Sequence, residues 1–353
     1  MLRCPDCGTE YRDRWRCECG HPLEFADPPR PAPDAFDPDP RAGLWAFEPF
    51  LPVERRVSLG EGYAPLVDAP GWDAAFKLEY VHPTGSFKDR GATAMLSRAA
   101  ALGVDRVLED SSGNAGAAVA TYAARAGIDC AVYVPADVKP GKVRAIERAG
   151  AEVVRVEGSR GDVTDACVDA VQSGEGWYAG HAWNPAFFAG TATFALELAH
   201  QRDWSVPDAV VCPVGHGTLF LGAYRGFRAL AEAGWTDRVP RLLGVQADGH
   251  APIVCDLHTK QRGAGGNDLA DGIRIREPVR REEILTAIEV TGGDCIAVDE
   301  AATGRALDAL HKRGFYVEPT AAVGPAGLRA YRERGVLDDE GVVVPLTGSG
   351  LKG

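Results

Sequence analysis

From about Leu44 onward the chain alternates between two hydrophobic periods. Short apolar runs read as strands: "AAFKLEY" (74–80), "DRVLED" (105–110), "DCAVYVP" (129–135), "AEVVRVEG" (151–158), "DAVVCPVG" (208–215), "RLLGVQAD" (241–248) and "GVVVPLTG" (341–348). Longer segments with helical spacing lie between them: "DRGATAMLSRAAALG" (89–103), "NAGAAVATYAARAG" (114–127), "GKVRAIERAG" (141–150), "RGDVTDACVDAVQSG" (160–174), "GTLFLGAYRGFRALAEAG" (217–234) and "DEAATGRALDALHKRG" (299–314). Such alternation predicts an α/β fold with mostly parallel sheets covered on both faces. Sheets of this kind take ligands at the carboxyl ends of strands, in the turns that lead into helices.

The first residues have a different character. Residues 1–26 form a compact cysteine-rich unit, and Asp27–Pro40 holds six prolines, which predicts an extended linker over 27–43. Residues 44–353 form the main body, and no internal repeat is evident. The net charge of −12 argues against a nucleic-acid partner. The polar start, "MLRCPDCGTE", and the lack of any apolar run of about 18 residues predict a cytoplasmic protein that does not enter a membrane. Of nine cysteines, Cys4, Cys7, Cys17 and Cys19 crowd into the start with Cys-x2-Cys and Cys-x-Cys spacing. Four thiolates fill a tetrahedral zinc site and leave no open position, so the expected metal is structural zinc. The remaining five cysteines are expected as buried thiols.

One lysine stands out in a chain with seven Lys and 31 Arg: Lys88, in "HPTGSFKDRG". A salt bridge could use either cation. Schiff-base chemistry needs a neutral primary amine, which a guanidinium does not supply. Three further loops are rich in small polar residues. Ser111, Ser112, Gly113, Asn114 and Ala115 link a strand to an Ala-rich helix, where free N–H groups suit a carboxylate or phosphate, although an ordinary helix cap reads equally well. Gly215, His216, Gly217, Thr218 and Leu219 follow the strand "AVVC" and could close on an anion. This loop is not a Walker A motif, and His216 reads as a wall residue. Thr347, Gly348, Ser349 and Gly350 end the last strand.

Taken together, "PTGSFKDRG", "SSGNAG" and "TGSGLK" resemble the fold-type II pyridoxal-phosphate enzymes, the tryptophan synthase β family, and among them the threonine synthases. The cysteine unit resembles the zinc-ribbon-like extension of some of these. The resemblance implies a two-lobed body with a small lobe, roughly 92–200, inserted in the large one, and a possible homodimer. It implies pyridoxal 5′-phosphate carried on Lys88. Asn114 would face the cofactor's 3′ oxygen, Gly215 to Leu219 its phosphate and Thr347 its pyridine nitrogen. Ser111 and the amides of Ser112 to Ala115 would hold the carboxylate of a small amino-acid substrate. A neutral hydroxyl at Thr347 makes the ring a weaker electron sink, which suits elimination and replacement at Cβ or Cγ.

The chain also departs from the threonine synthase pattern. In "WNPAFFAGTATF", Phe187 stands where an arginine is expected, Ala189 replaces a glutamate, and Thr191 and Ala192 replace glutamine and lysine. Phe187 offers nothing to a phosphate dianion. Lys139, Lys142, Arg144 and Arg160 are the candidate replacements in the small lobe. "LADGI" resembles the serine/threonine dehydratases, while "IRIREPV" resembles threonine synthase. The expected reaction is threonine synthesis from O-phospho-L-homoserine. Its rivals are serine/threonine dehydration, a β-replacement such as cysteate synthesis, and, in another class, a non-catalytic scaffold that binds a partner through its ribbon.

Overall fold

A computed structural model describes residues 1–258, 265–338 and 340–352. Three short strands, β1 (Leu2–Arg3), β2 (Glu10–Tyr11) and β3 (Glu24–Phe25), form an antiparallel sheet in the order β2-β1-β3. Residues 27–43 are largely irregular, and Trp235 Nε1 bonds Pro31 O at 2.7 Å, so this segment lies against the body of the protein. Next come β4 (Leu66–Ala69), β5 (Ala74–Lys77), α1 (Lys88–Leu102), β6 (Arg106–Glu109), α2 (Asn114–Ala126), β7 (Asp129–Pro135), α3 (Pro140–Arg148), β8 (Glu152–Val156), α4 (Arg160–Gln172), β9 (Trp177–Tyr178) and α5 (Pro185–His200). The chain continues with β10 (Ala209–Pro213), α6 (Thr218–Glu232), β11 (Arg241–Ala247), α7 (Pro252–Leu257), α8 (Arg281–Val290), β12 (Asp294–Val298), α9 (Glu300–His311), α10 (Pro319–Glu333) and β13 (Val342–Pro345).

Two sheets organise the body. The six-stranded sheet runs β12-β11-β10-β13-β5-β4, and only the edge strand β4 is antiparallel to its neighbour. The four-stranded sheet, β8-β7-β6-β9, is parallel throughout, and its strands fall in sequence between β5 and β10. Apolar residues cover both faces of each sheet. Along β10, Val210 and Cys212 pack with α5, α6 and α8, while Ala209 and Val211 pack with α9 and α10. Along β7, Val132 and Val134 face α2 and α3, and Ala131 and Tyr133 face α4. This two-sided burial is why these strands read as continuous apolar runs.

Helices α5, α8 and α10 and strands β4 and β12 had no counterpart among the elements read from the sequence. In α5 nearly every residue from Pro185 to Ala199 is buried, and α10 is buried from Thr320 to Leu328. A helix without a wet face shows no amphipathic period. Glycines let α5 press close to its neighbours: a Cβ on Gly190 would lie 1.9 Å from Arg90 O. Under this contact lies a fully buried charge network. Glu197 accepts from Lys77 Nζ, from Arg90 Nη1 at 2.9 Å and from Tyr63 N at 2.6 Å. Arg90 also grips Glu79 with two bonds of 2.7 and 2.8 Å, and His82 approaches Glu79 at 3.1 Å. The network ties β5 to α1 and α5, and so fixes the start of α1.

Candidate active site

Lys88 is the first residue of α1. The loop before it is held at both ends. Asp89, buried, accepts from Thr84 N at 2.7 Å and from the Thr84 hydroxyl. Phe87 N donates to Thr347 O at 3.1 Å, and Ser349 N donates to Gly85 O at 2.9 Å. The two motifs carrying Lys88 and Thr347 are therefore stitched together although they lie far apart in sequence. The Lys88 side chain, half-buried, donates to Thr218 Oγ1 at 3.0 Å between the rings of Phe87 and Phe187, whose centroids are 4.7 and 5.7 Å away. Burial pulls its pKa down to about 8, against the opposing pull of Glu109 and Glu318.

Thr218 opens α6 at the carboxyl end of β10, after the loop of Gly215, His216 and Gly217. Gly217 has φ +76°, a conformation that favours glycine, and no side chain caps the helix. Its first amides, including that of Leu219, thus stand free of a cap. The other Ala-rich helix, α2, likewise starts at Asn114 after an uncapped Gly113. Here Gly116 is required, since a Cβ would lie 1.8 Å from Ser111 O. Ser111 and Ser112 are half-buried, Gly113 is exposed and Ala115 is buried.

Asn114 meets two residues that the sequence reading had not assigned to the site. Its amide nitrogen donates to both carboxylate oxygens of Glu318, at 2.9 and 3.0 Å, and its oxygen accepts from Lys352 Nζ at 2.8 Å. Glu318 N in turn bonds Gly348 O at 3.0 Å. Burial raises the pKa of Glu318 and lowers that of Lys352. On the other side stand Glu109, at the end of β6, and His181, in the loop between β9 and α5, 2.9 Å apart and both buried. These too were not singled out. An acidic residue closing an apolar strand just before "SSG" was the available signal for Glu109.

The structure therefore gathers Lys88, Thr218, Asn114, Thr347 and the two helix starts at the carboxyl ends of β6, β10 and β13. The four N-terminal cysteines lie apart, in the small antiparallel unit. Their sulfurs are all within 4.8 Å of one another, with Cys4–Cys19 and Cys7–Cys17 at 3.5 Å. This cluster points to metal binding. Phe187 is fully buried, its ring against Gly91 and 5.8 Å from His181. Of the candidate cations, Lys139 and Arg144 are exposed, the side chain of Lys142 is outside the described residues, and Arg160 is held by Asp110 at 3.1 Å.

A half-buried lysine amine beside an uncapped helix start, at the carboxyl ends of parallel strands, makes a site suited to an anionic ligand. The chain belongs to the family described as pyridoxal-phosphate dependent enzymes, whose model matches residues 57–348. It is similar to a threonine synthase of Methanocaldococcus jannaschii, with 34% identity over 100% of this chain and 93% of the relative. A threonine synthase of Methanosarcina acetivorans is 37% identical over 88% of this chain and 80% of its own length. Among solved structures, a threonine deaminase from T.th. superposes with a TM-score of 0.68 at 29% identity, covering 81% of this chain and 92% of that one. The protein is thus a pyridoxal-phosphate enzyme of the threonine synthase group. Among the described residues no helix is long and apolar enough to cross a membrane.

Proposed function

We propose that the chain uses pyridoxal phosphate to expel a leaving group from Cβ or Cγ of a small amino acid. The observation that carries this reading is the Lys88 amine, bonded to Thr218 at the uncapped start of α6. The site has places for the cofactor that its own residues leave open. Thr347 Oγ1 is buried without a hydrogen-bond partner among the described residues, and suits the pyridine nitrogen. The amides of Gly215, His216, Gly217, Thr218 and Leu219 would hold the phosphate. Asn114 would turn its amide toward the 3′ oxygen. When bound, the cofactor supplies a sink for the charge left at Cα.

The protein's own work is then placement and proton transfer. Amides at Ser112, Gly113 and Ala115, with the Ser111 hydroxyl, hold the substrate carboxylate. Lys88, its pKa lowered to about 8, takes the Cα proton and moves it onward. Presence of Lys88, Asn114 and Thr347 together argues against a scaffold that only binds a partner. We assign structural zinc to the cysteine cluster. A tetrahedron of Zn–S bonds of about 2.3 Å has edges of about 3.8 Å, close to the observed sulfur separations.

Threonine synthesis from O-phospho-L-homoserine is the reaction the relatives support. Dehydration of serine or threonine is the second reading, and Phe187 favours it. A departing phosphate needs cationic or amide partners, whereas the residues near Lys88 here are Phe187, His181 and Glu109, with Arg160 already committed to Asp110. A β-replacement would use the same first steps. Incubation of the holoenzyme with O-phospho-L-homoserine, L-threonine and L-serine separates them. Phosphate and threonine from the first identify a threonine synthase, and keto acid with ammonia from the others identify a dehydratase. Failure of all three, and of β-chloro-L-alanine, refutes elimination.

A further inference from the structure

A hydroxyl leaves carbon only when it gains a proton, whereas phosphate leaves as an anion. Beside Lys88 the structure holds a pair of groups built to keep a proton out of water. Glu109 is fully buried, bonded to His181 Nδ1 through Oε1, while its Oε2 has no partner among the described residues. His181 is 6% exposed, and its ring meets that of His216 edge-to-face at 5.6 Å. Nδ1 of His216 is likewise buried and unpartnered among the described residues. Lys88 Nζ and His181 flank the same Phe187 ring, at 5.7 and 5.8 Å.

We propose that His181 is the general acid that protonates a hydroxyl leaving group, and that Glu109 is the positioning residue that orients it and resupplies its proton. The assignment rests on the elimination reading above and names its substrate class: β-hydroxy amino acids such as L-serine. In the reaction the Cα–H bond breaks and the proton passes to the Lys88 amine. The Cβ–O bond breaks with its electron pair going to oxygen, which takes the Nε2 proton of His181 and departs as water. In the same step His181 Nδ1 takes the proton of Glu109, so that no imidazolate forms. Lys88 has gained the proton that Glu109 lost, so the net charge of the site is unchanged. The enamine product hydrolyses to a 2-keto acid and ammonia.

The electrostatics agree with this geometry. Burial, reinforced by Asp110, holds the Glu109 acid form well above its ordinary range, and Lys88 and Arg160 oppose this. Burial, with Lys88, His216 and Arg160, pushes His181 well below its own. Both directions favour the pairing of a carboxylic acid with a neutral imidazole, in which Nδ1 accepts and Nε2 carries the hydrogen. The other ionisable groups near the pair are Cys130, Cys167 and Tyr178, all raised by burial and uncharged at neutral pH.

The test compares L-serine with β-chloro-L-alanine, whose chloride needs no proton to leave, in the wild-type holoenzyme and in Glu109→Gln and His181→Asn. Expected is a fall in the serine-to-chloroalanine ratio of kcat/KM of about 100-fold for His181→Asn and at least roughly tenfold for Glu109→Gln. A ratio within about threefold of wild type for His181→Asn would overturn the proposal, as would phosphate release from O-phospho-L-homoserine that is more efficient than pyruvate formation from serine. A wild-type enzyme that turns over chloroalanine but no hydroxy amino acid overturns it while leaving the elimination reading intact. Inertness toward chloroalanine as well defeats both. Independently of turnover, nitrogen-15 NMR of cofactor-free protein should show His181 as the neutral Nε2–H tautomer at pH 7. An imidazolium there would refute the arrangement.

Discussion

An ammonium is no nucleophile, so the rate at which cofactor-free protein captures pyridoxal phosphate should follow the neutral fraction of Lys88. With its pKa near 8, about one amine in ten is neutral at pH 7, against about one in 2,500 for an unperturbed lysine, an advantage of about 200-fold. The sign follows from the cause: loss of water penalises the charged form, and the acidic groups Glu109 and Glu318 oppose this only in part. The capture rate, followed by stopped-flow absorbance with Lys88→Ala as the background, should rise about tenfold per pH unit below pH 8 and level off above it. Glu318→Gln removes an acidic group that favours the charged form of Lys88. It should move the break to lower pH and raise the rate at pH 7. A rate that climbs without a break to pH 10, in both proteins, would refute the reasoning.

Glu197→Gln keeps the shape of the buried network but leaves Lys77 and Arg90 short of a counter-charge, so stability should fall by about 3–5 kcal/mol, read from urea unfolding. A loss below about 1 kcal/mol would show that the ions are already compensated. Glu79 and Glu197 both have depressed pKa values. Their contribution should be complete above about pH 4.5 and drain away as pH falls through the folded values. Protein purified without chelator should carry about one zinc per chain, and metal analysis near zero would remove the zinc assignment. Thr347→Val deletes a buried hydroxyl with no partner among the described residues. Cofactor-free protein should be no less stable in thermal unfolding, while the Kd for pyridoxal phosphate, from fluorescence titration, rises about fivefold for a hydrogen bond worth about 1 kcal/mol.

What was legible in the sequence was whatever is written locally. The strand ending at Pro213 shows itself because both its faces are dry, and Lys88 shows itself because a cation sits among small residues in a lysine-poor chain. The α5 helix was invisible as a helix because it has no polar side, although its "NPAFF" stretch drew notice as a departure from a pattern. Glu318 and Lys352 reach Asn114 only through tertiary pairing, Glu318 through its backbone bond to Gly348. Nothing in "YVEPTAAV" declares where that carboxylate will point. The His181–Glu109 pair is of the same kind, since 72 positions separate the two residues and only the return of the chain through β9 makes them neighbours.

The cysteine unit is not a free appendage. Trp15 packs edge-on against both Tyr178 and Trp183, each at 5.1 Å, and these two rings bracket the segment that carries His181. Arg280, fully buried, ties Leu23 O to Trp183 O with two bonds of 3.0 Å and also holds Glu24. With the zinc proposed above, a unit of about 25 residues would depend on that ion to stay folded. Loss of such an ion would then withdraw a brace from the segment that carries His181, and by reciprocity whatever steadies that segment would raise the unit's hold on the ion.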